Sequence, residues 1–226
     1  MSTRALNDDA VGAALTDAMA AVTDALLFVH TTPWELDEAM VGFGFSEGAC
    51  EAQDSQGLIR LLARRAHRPH QELWQDSPVL ERMVSEGRQG RTAGVGWYRY
   101  PGGGGLVIDP LVEDLLREEA WFAGVTRTEL DGPELISAVV AGLVNVLAHV
   151  LPLRDPQIAQ QVNTASLSVP GFPVKRGGLL QTADQIGAGV ICAKLQDLAA
   201  SGPAGVWTPA PYLTGLAREA GKTMPD

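Results

Sequence analysis

The residues of this chain best suited to chemistry form a basic cluster. Arg64, Arg65, His67 and Arg68 lie close together in a chain that is acidic as a whole. Clustered guanidinium groups hold their donors in a fixed geometry and bind phosphate or carboxylate groups through paired hydrogen bonds. We therefore predict that Arg64, Arg65 and Arg68 bind an anionic substrate or the acidic surface of a partner. The alternative is an exposed helix end, where the helix dipole favours cations.

The four histidines do not indicate a catalytic or metal site. His67 and His70 have the spacing of two ligands on a helical face, but Pro69 lies between them and favours a solvated loop. His30 and His149 each end an apolar helix, where an imidazole can hydrogen-bond the free carbonyl groups. No Ser-His-Asp or Cys-His arrangement is recognisable in the local sequence, so we assign no catalytic residue and no metal.

The glycine-rich segments do not resemble a nucleotide-binding loop. A dinucleotide fold needs Gly-x-Gly-x-x-Gly directly after an apolar strand, with an acidic residue about twenty positions later. The nearest sequence, from Gly187 to Cys192, lacks the third glycine and follows a polar helical segment. The run from Gly102 to Gly105 lacks the Lys-Ser/Thr pair of a triphosphate-binding loop and predicts a linker. We expect this chain to bind no cofactor by itself.

Composition limits the classes of partner. The 226 residues include 17 basic and 27 acidic side chains, and the net charge of −10 argues against a general nucleic-acid-binding role. Cys50 and Cys192 are too few for a disulfide framework and favour a reducing compartment. The N-terminal residues do not resemble a secretion signal, and Asn145 and His149 interrupt the most apolar stretch. We therefore expect a cytoplasmic protein that does not contact membranes.

Hydrophobic periodicity predicts helices along most of the chain. Apolar residues recur at steps of three and four between positions 9 and 30, and a second long apolar helix is predicted over 134–151. Thr32 and Asp109 each stand directly before a proline, and Asp131 stands two positions before Pro133, which is typical of a helix N-cap. Short strands are predicted only around 97–100 and 106–108. These patterns predict an all-α protein.

An internal repeat divides the helices into two units. In each half a long apolar helix precedes an amphipathic helix, a Gly-Phe pair, a later glycine and an Asp-x-x-Gly segment. The copies are Gly44-Phe45, Gly48 and 54–57 in the first half, and Gly171-Phe172, Gly178 and 184–187 in the second. This shared order predicts two copies of one helical unit. We place the first unit at 1–100, a linker at 101–108 and the second unit at 109–226.

These motifs resemble the C-terminal domain of the L-3-hydroxyacyl-CoA dehydrogenases. That family carries an acidic-Ile-Asp motif, Gly-Phe-Pro-Met-Gly-Pro and Asp-x-x-Gly, which correspond here to 35–37, 44–49 and 54–57. Its linker motif matches GRQGRTAGVGWYRY at 87–100. The second unit resembles the duplicated domain of the fused multifunctional proteins of β-oxidation. It does so through Val144-Asn145, Gly171-Phe172-Pro173 and Pro209-Ala210-Pro211.

The chain departs from the family at several positions. The family's first helix opens with an Asn-Arg pair whose asparagine supports the catalytic residues, and counting back from Asp37 places Gly12-Ala13 there. Val146 and Asn163 replace acidic residues of the second unit. Glu47 replaces an apolar residue in the glycine turn, where a desolvated carboxylate would suit a base. We include Glu47 among the substrate-site candidates, with an exposed turn residue as the alternative.

The resemblance implies two tandem helical repeats with the fold of the 6-phosphogluconate dehydrogenase C-terminal domain, packed on each other as a pseudo-dimer. In the family, NAD and a His-Glu pair belong to a preceding Rossmann domain, whose fingerprint we do not find here.

The resemblance therefore implies an accessory or acyl-CoA-binding subunit of fatty-acid metabolism, inactive alone and completed by a separate Rossmann partner that binds the NAD. The basic cluster would then meet the phosphates of coenzyme A. Two alternatives stay open: an enzyme with different chemistry in the acyl-CoA groove, and a purely structural interaction module.

Overall fold

The computed structural model describes residues 8–68, 73–169 and 171–219, so His70 lies outside the described residues. Within these ranges the chain forms eleven α-helices and one small antiparallel ribbon, which confirms the all-α prediction. The helices are α1 (Asp8–Val29), α2 (Pro33–Phe43), α3 (Ala49–Gln56), α4 (Leu58–Arg65), α5 (Val79–Ser85), α6 (Pro110–Phe122), α7 (Gly132–Val150), α8 (Pro156–Ser166), α9 (Leu179–Ile186), α10 (Ala188–Ser201) and α11 (Pro211–Arg218). The ribbon pairs β1 (Tyr98–Arg99) with β2 (Val107–Ile108), where the sequence predicts strands.

The two longest helices form the centre of the protein. α1 packs along α7, and each also packs on the amphipathic helix of the other half: α1 on α8, and α7 on α2. Gly142 permits the close approach of α1 and α7, because a Cβ there would lie 2.7 Å from Val22 Cγ2 and 2.7 Å from Trp207 Cζ3. The apolar faces of both halves therefore meet in one continuous core.

α1 and α7 are also long and apolar enough to cross a bilayer, judged by length and composition alone. Asn145 and His149 interrupt the apolar run of α7, as the sequence analysis noted, but they do not lower its mean hydropathy enough to exclude a span by composition alone. Of the most apolar window in each helix, 72% and 67% of the residues are buried inside the protein. A central core helix has this same composition.

Equivalent glycines confirm that the two halves are tandem repeats. Gly57 joins α3 to α4 with a φ of 92°, and Gly187 joins α9 to α10 with a φ of 90°. Both angles belong to the left-handed region that glycine tolerates. α6, which we assigned to the second unit, packs on α1 and α5 of the first, and the boundaries at 101–108 stay a prediction.

Helix ends follow the predicted caps in most cases. The Asp109 carboxylate accepts a hydrogen bond from the Leu111 backbone N–H at 3.3 Å, and that of Asp131 accepts one from Glu134 at 2.9 Å. At the start of α2, the Glu35 carboxylate accepts hydrogen bonds from the Thr32 backbone N–H and hydroxyl, at 3.0 and 2.7 Å.

The predicted carbonyl-capping role of His30 was wrong. Arg127 instead donates to the carbonyl oxygens of Leu27, Phe28 and Thr31 at the end of α1. His30 Nδ1 lies 2.7 Å from the Thr128 hydroxyl oxygen, and its ring is buried. His149 likewise contacts a distant carbonyl, that of Thr208, at 3.0 Å. Both histidines thus bond to segments far away in the sequence rather than to their own helices.

Candidate functional site

Asp37 on α2 holds the start of α3 in place. Its buried carboxylate accepts hydrogen bonds from the backbone N–H groups of Cys50, at 2.8 Å, and Glu51, at 2.9 Å. The Tyr98 hydroxyl donates to the same carboxylate from β1, at 2.9 Å. Burial raises the pKa of Asp37 to about 6, even though these three donors favour the charged form. Gly48 leaves room for the carboxylate, since a Cβ there would lie 2.1 Å from Asp37 Cγ.

Asp54 fixes the other end of α3 to the linker motif. Its carboxylate accepts hydrogen bonds from the backbone N–H groups of Trp97 and Tyr98, at 2.9 and 3.0 Å, and from the Tyr100 hydroxyl, at 2.9 Å. The Trp97 indole N–H donates to Gln53 Oε1 at 2.9 Å. Burial raises the pKa of Asp54 as well. Trp97, Tyr98 and Tyr100 of the linker motif therefore bind the C-terminal part of α3.

This network positions α3 and does not present a reactive group. Asp54 is 1% exposed, and burial raises the pKa of the fully buried Cys50 thiol, which stays protonated. Across 8–68, 73–169 and 171–219, no three His, Cys, Asp or Glu side chains form a group that would hold a metal ion. In the sequence, Asp37 and Asp54 are recognisable only as motif residues. Their shared partner, Tyr98, could not be inferred without the fold.

The second unit anchors its equivalent helix with a neutral amide. Asn163 Oδ1 on α8 accepts hydrogen bonds from the backbone N–H groups of Leu180 and Gln181 at the start of α9, at 2.8 and 3.2 Å. A Cβ on Gly178 would lie 2.7 Å from the same oxygen, so Gly178 leaves room for Asn163 as Gly48 leaves room for Asp37. The replacement of the family's aspartate by Asn163 therefore keeps the helix-anchoring role.

Asn145 joins two further motifs, the Val144-Asn145 pair and the Pro209-Ala210-Pro211 segment. Its amide Nδ2 donates to the carbonyl oxygens of Val206 and Thr208, both at 2.8 Å, and its Oδ1 accepts from the Ala210 backbone N–H at 2.8 Å. The side chain is fully buried on α7. The Val-Asn motif thus holds the Pro-Ala-Pro segment that precedes α11.

An open cleft of about 620 Å³, here called the basic cleft, lies between α4 and the N-terminal half of α1. Its walls combine small side chains with three exposed or half-exposed basic ones. The residues that line the basic cleft are Ala13, Thr16, Asp17, Gln56, Arg60, Leu61, Ala63, Arg64, His67 and Arg68.

Two of the three predicted substrate-binding arginines are occupied by internal ion pairs. Arg65 lies 2.5 Å from the Asp24 carboxylate and donates to the Ser77 carbonyl, and its side chain is 9% exposed. Arg68 pairs with Asp76 and is 1% exposed, although it borders the basic cleft. Breaking a buried ion pair costs several kcal/mol, on the order of 3–5.

Arg64 is the accessible member of the predicted set. It is 39% exposed, and its Nε lies 2.5 Å from Asp17 Oδ1. His67, also a member of the predicted basic cluster, lines the same cleft, and the structure adds Arg60. Arg60 was missed, although its spacing from Arg64 gave the signal. Substrate binding by Arg64, Arg65 and Arg68 stays a prediction.

A smaller apolar cleft of about 110 Å³ adjoins the basic cleft, and the two share Thr16, Gln56 and Leu61. Its other walls are Met19, Ala20, Met40, Glu47, Gly48, Ala49, Ala52, Gln53, Ser168 and Val169. Glu47 lies at this cleft but is exposed, so it is not the desolvated carboxylate that would suit a base. α3, anchored by Asp37 and Asp54, forms one wall.

A third cleft lies on the other side of α1. It measures about 450 Å³ and is lined by Asp8 of α1, by residues of α8 and by Ser168 just after α8. The α8 residues are Gln157, Gln160, Gln161, Thr164 and Ala165. α1 therefore borders this cleft only at its first residue, Asp8.

Comparison with known sequences identifies the family that the first unit resembles. Residues 12–100 match the family model described as the 3-hydroxyacyl-CoA dehydrogenase C-terminal domain. This segment is similar to that domain. The matched segment ends at Tyr100, whose hydroxyl completes the Asp54 network, so the network lies within the matched segment.

Longer relatives extend this similarity beyond the matched segment. A peroxisomal fatty acid β-oxidation multifunctional protein of Oryza sativa is 31% identical over 178 residues, which cover 75% of this chain and 24% of the relative. A peroxisomal bifunctional enzyme of Danio rerio is 26% identical over 192 residues, 76% of this chain and 26% of the relative. The chain spans about a quarter of the length of these relatives.

Solved structures share the fold of the dehydrogenase C-terminal domain. The dehydrogenase part of multifunctional enzyme 1 from C. elegans aligns with a TM-score of 0.63 at 14% identity, over 93% of this chain and 48% of that chain. The 3-hydroxybutyryl-CoA dehydrogenase of Escherichia coli aligns with a TM-score of 0.64 at 16% identity, over 91% of this chain and 59% of that chain. At these identities the likeness shows the fold.

Proposed function

We propose that this chain is the helical, acyl-CoA-binding part of a 3-hydroxyacyl-CoA dehydrogenase in cytoplasmic fatty-acid or related acyl-CoA metabolism. In this proposal a nucleotide-binding domain on a separate polypeptide binds NAD and carries out the hydride transfer, and the chain alone is inactive. The helical domain supplies one wall of the substrate cleft. Ligand sites commonly form between two such domains.

The uncovered N-terminal half of α1 is the observation that carries this proposal. From Asp17 to Val29 only Ala25 is not buried, whereas between Asp8 and Thr16 only Val11 and Leu15 are. The basic cleft borders this half at Ala13 and Thr16, and a second cleft borders its first residue, Asp8. The solved dehydrogenases that share the fold extend well beyond the aligned region, because the alignments cover only 48% and 59% of their chains. A second domain seated on α1 would cover the exposed half.

The packing of α1 and α7 supports the proposal of an internal pseudo-dimer. Each of these helices packs on its partner and on the amphipathic helix of the opposite unit, as expected for an isologous contact. The aromatic rings of Phe45 and Phe172, from the two Gly-Phe pairs, lie 5.2 Å apart at this contact. We expect a monomer by size-exclusion chromatography with light scattering. A dimer that uses these same surfaces would contradict this part of the proposal.

An assay of NADH oxidation with acetoacetyl-CoA tests the proposed function. We expect no turnover by the chain alone, and turnover when it is combined with a nucleotide-binding dehydrogenase domain that co-purifies with it from its natural host. Turnover by the chain alone would refute the proposal, as would the absence of both a partner and acyl-CoA binding.

Two glycine substitutions supply a matched pair for the docking surface. A Cβ on Gly12 of α1 or Gly189 of α10 meets no atom within 4 Å, so both positions accept a larger side chain. We expect Gly12→Phe to abolish partner binding because the ring projects from the exposed half of α1. Gly189→Phe should leave binding unchanged.

A further inference from the structure

One side of α6 exposes three large apolar side chains. Leu111, Trp121 and Phe122 are 63%, 75% and 67% exposed. With Asp114 and Glu118 they follow one another at steps of three, four, three and one, which places all five on one side of the helix, here called the α6 face. α6 packs on α1 and α5 through its other side. A single exposed apolar residue is ordinary, whereas a group of them marks an interaction site.

The aromatic end of the α6 face stands on an ordered part of the backbone. The rings of Trp121 and Phe122 meet edge to face, with their centroids 5.0 Å apart. The Val125 backbone N–H closes the end of α6 by donating to the Ala120 carbonyl oxygen at 2.8 Å. Arg127 then fixes the following segment to carbonyl groups at the end of α1. The backbone that carries the two rings is therefore ordered before a partner binds, which lowers the entropic cost of binding.

The centre of the α6 face is negatively charged. The side chains of Asp114 and Glu118, which lie between the apolar ends, are 65% and 58% exposed. Each has one arginine near it, Arg117 and Arg82, but these two arginines also pair with three further carboxylates. Five carboxylates thus surround two guanidinium groups, which leaves a surplus of three negative charges in this group. Such a surplus attracts cationic groups.

The charge of the α6 face decides between its possible occupants. A second copy of the chain would bring a like charge to the same place, since the chain has a net charge of −10. The anionic headgroups of a membrane surface would be repelled in the same way. A cationic segment of another protein is attracted, and a lysine or arginine placed over the Trp121 ring gains a cation–π contact as well.

We propose that the α6 face docks a cationic amphipathic helix of a partner protein. Leu111 and Phe122 are about three turns apart, roughly 16 Å along the helix. The partner helix therefore carries apolar side chains about three turns apart, which cover Leu111 at one end and the Trp121–Phe122 pair at the other. Its lysine or arginine side chains lie between them and meet Asp114 and Glu118.

This docking site is separate from the surface that the proposed function uses. The nucleotide-binding domain of that proposal lies on the N-terminal half of α1. The aromatic end of the α6 face lies beside the other end of α1, where the Thr128 backbone N–H donates to the Val29 carbonyl oxygen at 2.8 Å. The 22 residues of α1 span about 33 Å, so both surfaces can be occupied at once.

Tryptophan fluorescence of the full chain reports on this site, because Trp121 is the most exposed of the five tryptophans. The probe is a synthetic helical peptide of about 16 residues, with leucines at the two ends of one face and lysines between them. We expect its binding to shift the emission to shorter wavelength and to weaken at higher ionic strength. The same peptide with glutamate in place of each lysine should not bind.

Two variants separate the aromatic and the acidic contributions, with affinities measured by isothermal titration. Trp121→Ala removes the largest anchor and should weaken binding of the lysine peptide roughly thirtyfold. Asp114→Asn combined with Glu118→Gln should weaken it about fivefold. Glu38→Gln combined with Asp197→Asn, which removes two exposed charges from other helices, is the matched control and should leave the affinity unchanged. Circular dichroism verifies that each variant folds.

Several outcomes would overturn the proposal. The lysine peptide must bind the wild type, bind Trp121→Ala more weakly, and bind more tightly than the glutamate peptide; failure of any one of these excludes the α6 face as a cationic docking site. A dimer of the wild type that Trp121→Ala abolishes would assign the face to a second copy. Vesicles of phosphatidylcholine and phosphatidylglycerol that shift the emission as the lysine peptide does would assign it to a membrane.

Discussion

Substituting Asp37 by asparagine separates the two roles of this side chain, as a buried charge and as a hydrogen-bond acceptor. Oδ1 accepts from the Cys50 backbone N–H, and Oδ2 accepts from the Glu51 backbone N–H and the Tyr98 hydroxyl. An asparagine keeps one oxygen and turns an amide group toward at least one of these donors. Leaving a buried donor unsatisfied costs about 1–3 kcal/mol.

The raised pKa supplies an opposing effect that depends on pH. The pKa of Asp37 rises from 3.8 to about 6 on folding, so its contribution to stability is fully present below pH 3.8 and is lost as the pH rises through 6. A shift of this size corresponds to about 3 kcal/mol. We therefore expect Asp37→Asn to be less stable than wild type by about 1–3 kcal/mol near pH 4, and equally stable or more stable by up to about 2 kcal/mol near pH 7.5.

When the wild type is measured by itself, the titration of His30 masks the effect of Asp37 on stability. Burial, together with the charges of Lys194 and Arg127, lowers the pKa of His30 from 6.5 to about 4. Its contribution to stability is therefore present above pH 6.5 and is lost as the pH falls through 4, opposite to that of Asp37. Because both proteins contain His30, the difference between their unfolding free energies isolates Asp37.

Urea unfolding of both proteins between pH 4 and 7.5 measures that difference. Asp197→Asn, at an exposed position on α10, is the control and should show little change with pH. A difference between Asp37→Asn and wild type that stays constant over this range would refute the assignment of a raised pKa to Asp37.

Three further predictions concern the same core and use urea unfolding. Asn145→Ala leaves the buried Val206 carbonyl and the buried Ala210 N–H without their partner, and we expect a loss of about 2–4 kcal/mol; a loss below about 1 kcal/mol would contradict this role. Gly142→Ala places a Cβ against Val22 and should destabilise by about 1–3 kcal/mol, whereas Gly189→Ala, in open space, should stabilise by up to about 1; equal effects would exclude the close contact. Tyr98→Phe should reduce the penalty of Asp37→Asn near pH 4, and additive effects in a double-mutant cycle would argue against the shared hydrogen bond.

Most of the fold follows from local sequence because its signals are local. The step of three and four residues in α1, and the caps at Asp109 and Asp131, depend on neighbours within one or two turns. The repeat was visible because its glycines need a special backbone angle or a close approach, as at Gly57 and Gly187. Glycines with such requirements recur at equivalent positions of the two units even where the other residues differ.

The site was predicted less well because its partners are distant in sequence. Arg64 and Arg65 bind Asp17 and Asp24, 47 and 41 positions away, and no local pattern reveals such pairs. A cluster of arginines on one short helix therefore indicated a free basic surface, whereas the fold neutralises most of it. Arg60, which the prediction had left out, lines the same cleft and makes no ion pair within the described residues.

The difference between Asp37 and Asn163 follows from the number of donors that each must satisfy. Asn163 receives two backbone N–H groups at one amide oxygen, which an uncharged side chain accepts without a desolvation cost for charge. Asp37 receives two backbone N–H groups and the Tyr98 hydroxyl, and only a carboxylate offers both oxygens as acceptors. The hydroxyl of Tyr98 on β1 is thus the physical reason why the first unit has a buried charge at this position. The aspartate belongs to the docking of the linker on α3, and α3 in turn forms one wall of the apolar cleft.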